Sequence, residues 1–145
     1  MIGVDASVAA KWVLHEAHAE TAAALYDDAA RVREAVVAPS LLPIEVTNIL
    51  WQRVRRHLLT REEADDALTR FLAFRVRLVS PDTIHRDALT LAAVYALPAV
   101  YDAHYLALAQ QLDITLWTDD QRLLNTLGGQ LAFVRSLHSY QETDA

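Results

Sequence analysis

Short β-prone segments alternate with longer helical patterns along almost the whole chain, and this alternation restricts the possible folds more than any other feature. Parallel strands need long crossover connections, which helices usually supply. The pattern therefore predicts an α/β protein with a mostly parallel central sheet of about five strands, flanked by helices. We expect a single domain over residues 1–140 and a polar C-terminal tail over residues 141–145. The predicted strands are residues 2–4, 36–38, 77–79, 114–117 and 132–134.

The beginnings of three helices are marked by capping residues. Thr60 with Glu63 three residues later forms the sequence pattern of a capping box. Ser40 is a suitable N-cap, because Pro43 would then lie in the first turn, where its missing N–H costs little. Ser80, which a proline follows, predicts the start of another helix in the same way.

Composition excludes several classes of protein. The chain has 145 residues, of which 53% are hydrophobic, and this is enough for one core. It contains no cysteine, which excludes thiol chemistry and suits a reducing compartment. The first residues do not resemble a secretion signal, and the longest uncharged stretch, residues 88–101, is too short to cross a membrane. We therefore expect a soluble cytoplasmic protein without membrane contact.

Acidic side chains recur where predicted strands lead into helices. Asp5 follows the first strand directly, and Glu45 lies in the first turns of the helix after the second. Asp102 begins a strongly helical pattern, and Asp119 and Asp120 follow the fourth strand. Ligands of open α/β sheets bind beyond the carboxyl ends of the strands. The positions of these acids therefore predict a common site.

Each acid also has an explanation that involves no site. Asp102 by itself is best explained as a helix N-cap, and the aspartates after the first and fourth strands could cap helices in the same way. Glu45 is harder to explain, because it lies between Leu41 and Ile49 on one helical face and should be half-buried. The joint pattern is far less probable by chance than any single acid.

Four converging carboxylates would need protons or cations, because like charges close together raise one another's pKa. An all-oxygen ligand set favours Mg²⁺ or Mn²⁺ over Zn²⁺. Two such ions would change the formal net charge from −6 to −2, which would ease the approach of a polyanion. Because these ions activate water and hold phosphoryl oxygens, the acids predict metal-dependent attack on a phosphodiester.

Four stretches of the chain resemble, in order, the motifs of the PIN-domain ribonucleases, and most closely the VapC-type toxins of toxin–antitoxin pairs. The first, MIGVDASVAAKWVLHE, is similar to the opening strand and D-x-S motif of the family. PSLLPIEVTNIL resembles the helix that carries the second acid. VYDAHYLALAQQL and LWTDDQRLL are similar to the third motif and to the fourth, T-x-D. The resemblance covers nearly the whole chain.

The resemblance implies a three-layer α/β fold and an endoribonuclease that cuts RNA with water activated by one or two Mg²⁺ ions, or by Mn²⁺. Carried over by position, Asp5, Glu45, Asp102 and Asp120 are both the catalytic residues and the metal ligands. Because Asp119 stands beside the last of these, either member of the adjacent pair could face the metal, and we choose Asp120.

Several neighbouring residues match supporting positions of the family. Ser7 and Thr118 correspond to hydroxyls that orient the carboxylates, although helix capping explains Ser7 equally well. Asn48 follows the second acid by about one turn. Asp119 is retained with this group, and so is Arg122, which could contact a phosphate but is explained more simply as an exposed arginine.

The resemblance also implies partners: an RNA substrate, a VapB-type antitoxin that blocks the site, and a second copy in a homodimer. A docking surface or dimer face could include apolar residues of the first helices, although ordinary core packing explains most of them. The basic run at residues 53–57 could grip RNA or simply be a solvated helix face. The apolar residues concerned are Trp12, Leu25, Leu50, Trp51, Leu58 and Leu59.

Two further interpretations stay open from the sequence. His15 and His18 are three residues apart on a predicted helix and could bind a metal, although such pairs are usually only exposed, and we assign no role to His104. The rival functions are a PIN nuclease of RNA maturation or DNA cleavage, and a non-catalytic binding module whose acids are caps and ion-pair partners.

Overall fold

A five-stranded parallel sheet forms the centre of the protein. The computed structural model describes residues 1–140, so the predicted tail at 141–145 lies outside the described residues. The strand order is β3-β2-β1-β4-β5, and all neighbouring pairs are parallel. This confirms the predicted sheet. The strands are β1 (Ile2–Val4), β2 (Val36–Ala38), β3 (Arg77–Leu78), β4 (Leu116–Thr118) and β5 (Val134–Ser136).

Helices cover both faces of the sheet. Successive strand residues point to opposite faces, so Val36 packs in one apolar cluster and Val37 in the other. Leu116 and Trp117 of the neighbouring strand are divided in the same way. The result is the expected three-layer architecture. The helices are α1 (Ala6–Ala9), α2 (Ala19–Arg31), α3 (Leu42–Arg55), α4 (Arg61–Leu72), α5 (Ile84–Val94), α6 (Tyr101–Leu112) and α7 (Gln121–Leu127), with short 3-10 helices at Ala10–Trp12 and Leu137–Ser139.

The helix starts confirm one of the three predicted caps. The Thr60 hydroxyl accepts a hydrogen bond from the Glu63 amide at 3.1 Å, and the Glu63 carboxylate accepts one from the Thr60 amide at 3.4 Å. The caps predicted at Ser40 and Ser80 are wrong. The N-cap residues of α3 and α5 are Leu41 and Thr83, and neither makes a side-chain cap. The Ser80 hydroxyl instead accepts a hydrogen bond from the Ser40 amide at 2.9 Å, which ties together the chain segments that follow β2 and β3.

The predicted bounds of the last two strands are shifted. The Ile114 amide still donates to the carbonyl of Ala109, because the chain leaves α6 through the left-handed Asp113, and β4 begins only at Leu116. The amide of Val134 closes a turn to Leu131, so β5 also begins later than predicted. The third strand ends one residue earlier than predicted.

No helix within residues 1–140 combines the length and the apolar character that a membrane crossing requires.

Candidate active site

Asp5 is a buried carboxylate at the junction of β1 and α1. Only 3% of the residue is exposed. Its Oδ1 accepts hydrogen bonds from the Ser7 hydroxyl at 2.5 Å and from the Val8 amide at 3.2 Å, and its Oδ2 accepts one from the Thr118 hydroxyl. Asp5 is therefore the N-cap of α1 and also a fixed member of a polar cluster. The capping explanation is thus confirmed, and the hydrogen bonds from Ser7 and Thr118 leave the carboxylate available to a site.

Ser7 and Thr118 link the segment after β1 to the segment after β4. The Ser7 hydroxyl accepts a hydrogen bond from the Asp119 amide at 2.8 Å, and the Thr118 hydroxyl accepts one from the Asp120 amide at 3.1 Å. Because each hydroxyl receives a backbone N–H, its own proton is free to point at Asp5. The arrangement holds that carboxylate in one orientation.

The adjacent aspartates after β4 have different surroundings. Asp120 is the N-cap of α7 and accepts hydrogen bonds from the Arg122 amide at 2.9 Å and the Leu123 amide at 3.1 Å. After the larger effect of burial, its negative charge also raises the pKa of Asp102. Asp120 therefore lies on the side of the other acids. The side chain of Arg122, two residues later, is exposed.

Asp119 pairs with a lysine instead. Its carboxylate forms an ion pair with Lys11 at 3.2 Å and contacts the His18 ring nitrogen at 3.2 Å. Because Lys11 also pairs with Glu16 at 3.0 Å, Asp119 belongs to a partly buried mixed-charge network rather than to the acidic cluster.

Three acids of the cluster have raised pKa values. Burial raises the pKa of Asp5 to about 6 against the lowering effect of its hydrogen bonds, and the charge of Asp102 adds to the increase. The pKa of Glu45 rises to about 7, mainly through burial and then through repulsion from Asp102 and Asp5. Burial, followed by the charge of Asp120, raises the pKa of Asp102. The charges of Asp5, Glu45 and Asp102 thus repel one another, and the charge of Asp120 acts on Asp102.

Tyr105 is a member of this cluster that sequence reasoning missed. It follows Asp102 by three residues on α6, so the two side chains share a helical face, and Tyr105 is only 1% exposed. Its hydroxyl lies beside Glu45, and this proximity lowers the pKa of that carboxyl. The buried hydroxyl has no hydrogen-bond partner within residues 1–140. The sequence signal that could have identified Tyr105 is its position three residues after Asp102 in a helical pattern.

An open cavity of about 460 Å³ lies next to two of the acids. It lies between α3 and the start of α6, and most of its wall is apolar. Asn48, predicted to support the site, is part of this wall. The lining residues are Leu41, Ile44, Glu45, Asn48, Ile49, Ala99, Tyr101 and Asp102.

The chemistry of the acidic cluster fits a hard divalent cation. All four carboxylates offer oxygen ligands, and within residues 1–140 none of the four forms an ion pair with lysine or arginine. No three acidic or histidine side chains of the described residues are spaced as a ready-made metal-binding group. Cation binding would therefore require the half-buried carboxylates of Glu45, Asp102 and Asp120 to move closer to Asp5.

His15 and His18 do not form the metal-binding pair that the sequence left open as a possibility. His15 precedes α2, and His18 is the residue just before that helix, so the two do not share a helical face. His18 instead contacts His138 at 3.2 Å between ring nitrogens. His104 lies on the outside of α6 and contacts His85 at 3.0 Å.

The apolar residues of the expected docking surface separate into two groups. Leu25 and Leu50 are buried, and Trp12 packs against the ring of Phe74 at 5.0 Å, so these residues belong to the core. Leu59 is partly buried. Two residues of the set are more than half exposed, Trp51 at 52% and Leu58 at 61%.

Comparison with known proteins places these features in a family. The sequence matches the family model described as PIN domain over residues 2–127. It is 33% identical over 122 residues to Ribonuclease VapC3 of Pyrobaculum aerophilum, which covers 83% of this chain and 89% of the relative. The crystal structure of PAE2754 from Pyrobaculum aerophilum shares the fold, with a TM-score of 0.68 at 23% identity, covering 95% of this chain and 91% of the other.

Proposed function

Because the chain belongs to the PIN-domain family, we propose that it is a metal-dependent endoribonuclease of the VapC type. The proposed catalytic residues and metal ligands are Asp5, Glu45, Asp102 and Asp120. The observation that carries the proposal is the repulsion among the carboxylates of Asp5, Glu45 and Asp102, which Asp120 increases at Asp102, while none of the four forms an ion pair with lysine or arginine in the described chain. A cluster of this kind favours the uptake of divalent cations.

One or two Mg²⁺ ions, or Mn²⁺, would supply the positive charge that polarises a phosphoryl oxygen and makes water more acidic. Asp5 is oriented by three hydrogen bonds and would hold its position. Glu45 and Asp102 are half-buried and have more freedom to adjust. Attack of water on the scissile phosphorus would break its bond to the 3′-oxygen, which leaves a 5′-phosphate and a 3′-hydroxyl.

Cleavage of end-labelled single-stranded RNA tests the proposal. We expect cleavage with Mg²⁺, loss of cleavage with EDTA, and a decrease of at least roughly 100-fold in the Asp102→Asn variant, because one ligand charge is removed. Asp27→Asn changes an exposed acid of α2 and serves as the matched control. Equal rates in Asp102→Asn and wild type would refute the site.

Metal binding can be measured separately from cleavage. A nuclease site should raise the melting temperature in millimolar Mg²⁺ or Mn²⁺, because the ion binds the folded state. A non-catalytic module would show only a general salt effect, and the Asp102→Asn variant would then respond like wild type. Cleavage of DNA in preference to RNA would instead favour the other nuclease function.

We also propose a VapB-type antitoxin as the inhibitory partner and a homodimer as the assembly. Support for a docking surface comes from Trp51 and Leu58, and from an apolar groove of about 280 Å³ between α3 and α4. A small protein encoded beside this gene should form a stable complex and block cleavage. Trp51→Glu should weaken inhibition at least roughly tenfold, because buried aromatic anchors dominate interfaces. If inhibition is unchanged in this variant, the groove is not the site that binds the antitoxin.

The homodimer is tested separately by sedimentation velocity.

A further inference from the structure

The cavity beside the acids has the character of a site for a neutral, flat group. Its apolar wall includes Leu41 and Ile49, and its volume of about 460 Å³ lies within the range of small-ligand pockets. Among the described residues no lysine or arginine lines it, whereas Glu45 and Asp102 do. The apolar part of the wall therefore has no positive charge of its own to hold a phosphate, but it suits an uncharged base.

Tyr101 presents an aromatic ring at the edge of this cavity. It is the first residue of α6 and is 59% exposed. Because Asp102 is the next residue, the same helical turn carries the ring and one of the proposed metal ligands. Unpaired bases bind proteins largely by stacking on exposed aromatic side chains. The position of Tyr101 is thus suited to a base adjoining the phosphate at the acidic cluster.

Asn48 adds a polar group to the same wall. It follows Glu45 by three residues on α3, so the two side chains share a helical face. Its carboxamide oxygen accepts only a long contact of 3.5 Å from Gln52. The side-chain amide offers both donors and an acceptor, which is what the hydrogen-bonding edge of a base requires.

We propose that this cavity, the Tyr101 pocket, receives one unpaired base of the RNA substrate, next to the scissile phosphate. Tyr101 stacks on the base and Asn48 contacts its edge. The inference rests on the proposed nuclease function and adds to it a binding position for one unstacked nucleotide at the cleavage site. Continuous duplex RNA is then a poor substrate, because its bases are stacked and paired.

The test compares an RNA oligonucleotide with the same oligonucleotide carrying an abasic nucleotide at the cut site. For Tyr101→Ala we expect kcat/KM on intact RNA to fall roughly 10- to 100-fold, the effect of one lost stacking contact. Tyr101→Phe should stay within about threefold of wild type, because the ring is kept. On abasic RNA, wild type and Tyr101→Ala should be equally slow.

Leu89→Ala is the matched control, since Leu89 is 65% exposed on α5 and lies outside the pocket. Full activity of Tyr101→Ala on intact RNA would overturn the inference while leaving the nuclease proposal intact. If wild type cleaves no RNA, the nuclease proposal fails, and fluorescence anisotropy with labelled RNA still tests the pocket. Wild type should then bind intact RNA more tightly than abasic RNA, and equal affinities would overturn the pocket.

Discussion

Replacing Asp5 by asparagine should stabilise the protein above neutral pH when no metal is present. The side chain is 3% exposed, and its pKa is raised from 3.8 to about 6, chiefly by burial. The folded state therefore favours the protonated acid. Asparagine resembles that neutral form in shape, and the hydroxyl of Thr118 can turn to accept from the new amide.

The size and sign of the effect follow from proton linkage. Below pH 3.8 the carboxyl of Asp5 is protonated in both states and carries no penalty. As pH rises towards 6, the unfolded chain loses its proton first, so the free energy of unfolding falls. A shift of about two pKa units corresponds to about 3 kcal/mol. Asparagine loses charge-assisted hydrogen bonds, so we expect a net gain of about 1–3 kcal/mol at pH 8.

Thermal unfolding between pH 4 and pH 8 in EDTA measures this effect. The melting temperature of Asp5→Asn should equal that of wild type near pH 4 and exceed it by roughly 3–10 °C at pH 8. Millimolar Mg²⁺ should then stabilise wild type more than the variant, because the ion binds the negatively charged Asp5 carboxylate, which the variant lacks. Asp27→Asn, a change at an exposed acid of α2, is the control for a general effect of net charge.

A variant that is less stable than wild type at pH 8 in EDTA would refute the reasoning. Such a result would mean that the hydrogen bonds from Ser7, Val8 and Thr118 outweigh the desolvation of the carboxylate. An equal response of both proteins to Mg²⁺ would show instead that Asp5 does not contribute to cation binding.

Three further predictions follow from the site and the fold. Tyr105→Phe should raise the pKa of Glu45 and weaken Mg²⁺ binding a few-fold, measured by NMR titration and calorimetry; an unchanged Glu45 pKa would exclude the contact. Asp120→Asn should weaken Mg²⁺ binding more than Asp119→Asn does, because only Asp120 lies with the acids, and calorimetric affinities in the reverse order would contradict that placement. Thr60→Ala should lower the free energy of unfolding in urea by about 1 kcal/mol, whereas no change would show that the capping box adds nothing.

The overall fold could be predicted because local sequence carries the signal for it. Strand and helix periods are properties of neighbouring residues, and parallel strands joined by helices allow few topologies. The capping box at Thr60 involves residues three apart, and the structure confirms it. The cap proposed at Ser80 failed because its hydroxyl accepts a hydrogen bond from the Ser40 amide, 40 residues away in the chain. The cap proposed at Ser40 failed because the N-cap position of α3 is Leu41, one residue later.

The sequence by itself determined the α/β fold and placed acids after β1, β2 and β4. Because parallel strands run in the same direction, positions that follow them fall at the same edge of the sheet. Only the tertiary structure decided which neighbouring side chains lie with the acids and which lie with basic groups. It directs Asp119 to Lys11 and Asp120 to the acids, and it buries Tyr105 beside Glu45. These choices depend on contacts such as that between Asp5 and Thr118, 113 residues apart, which only the packed chain creates.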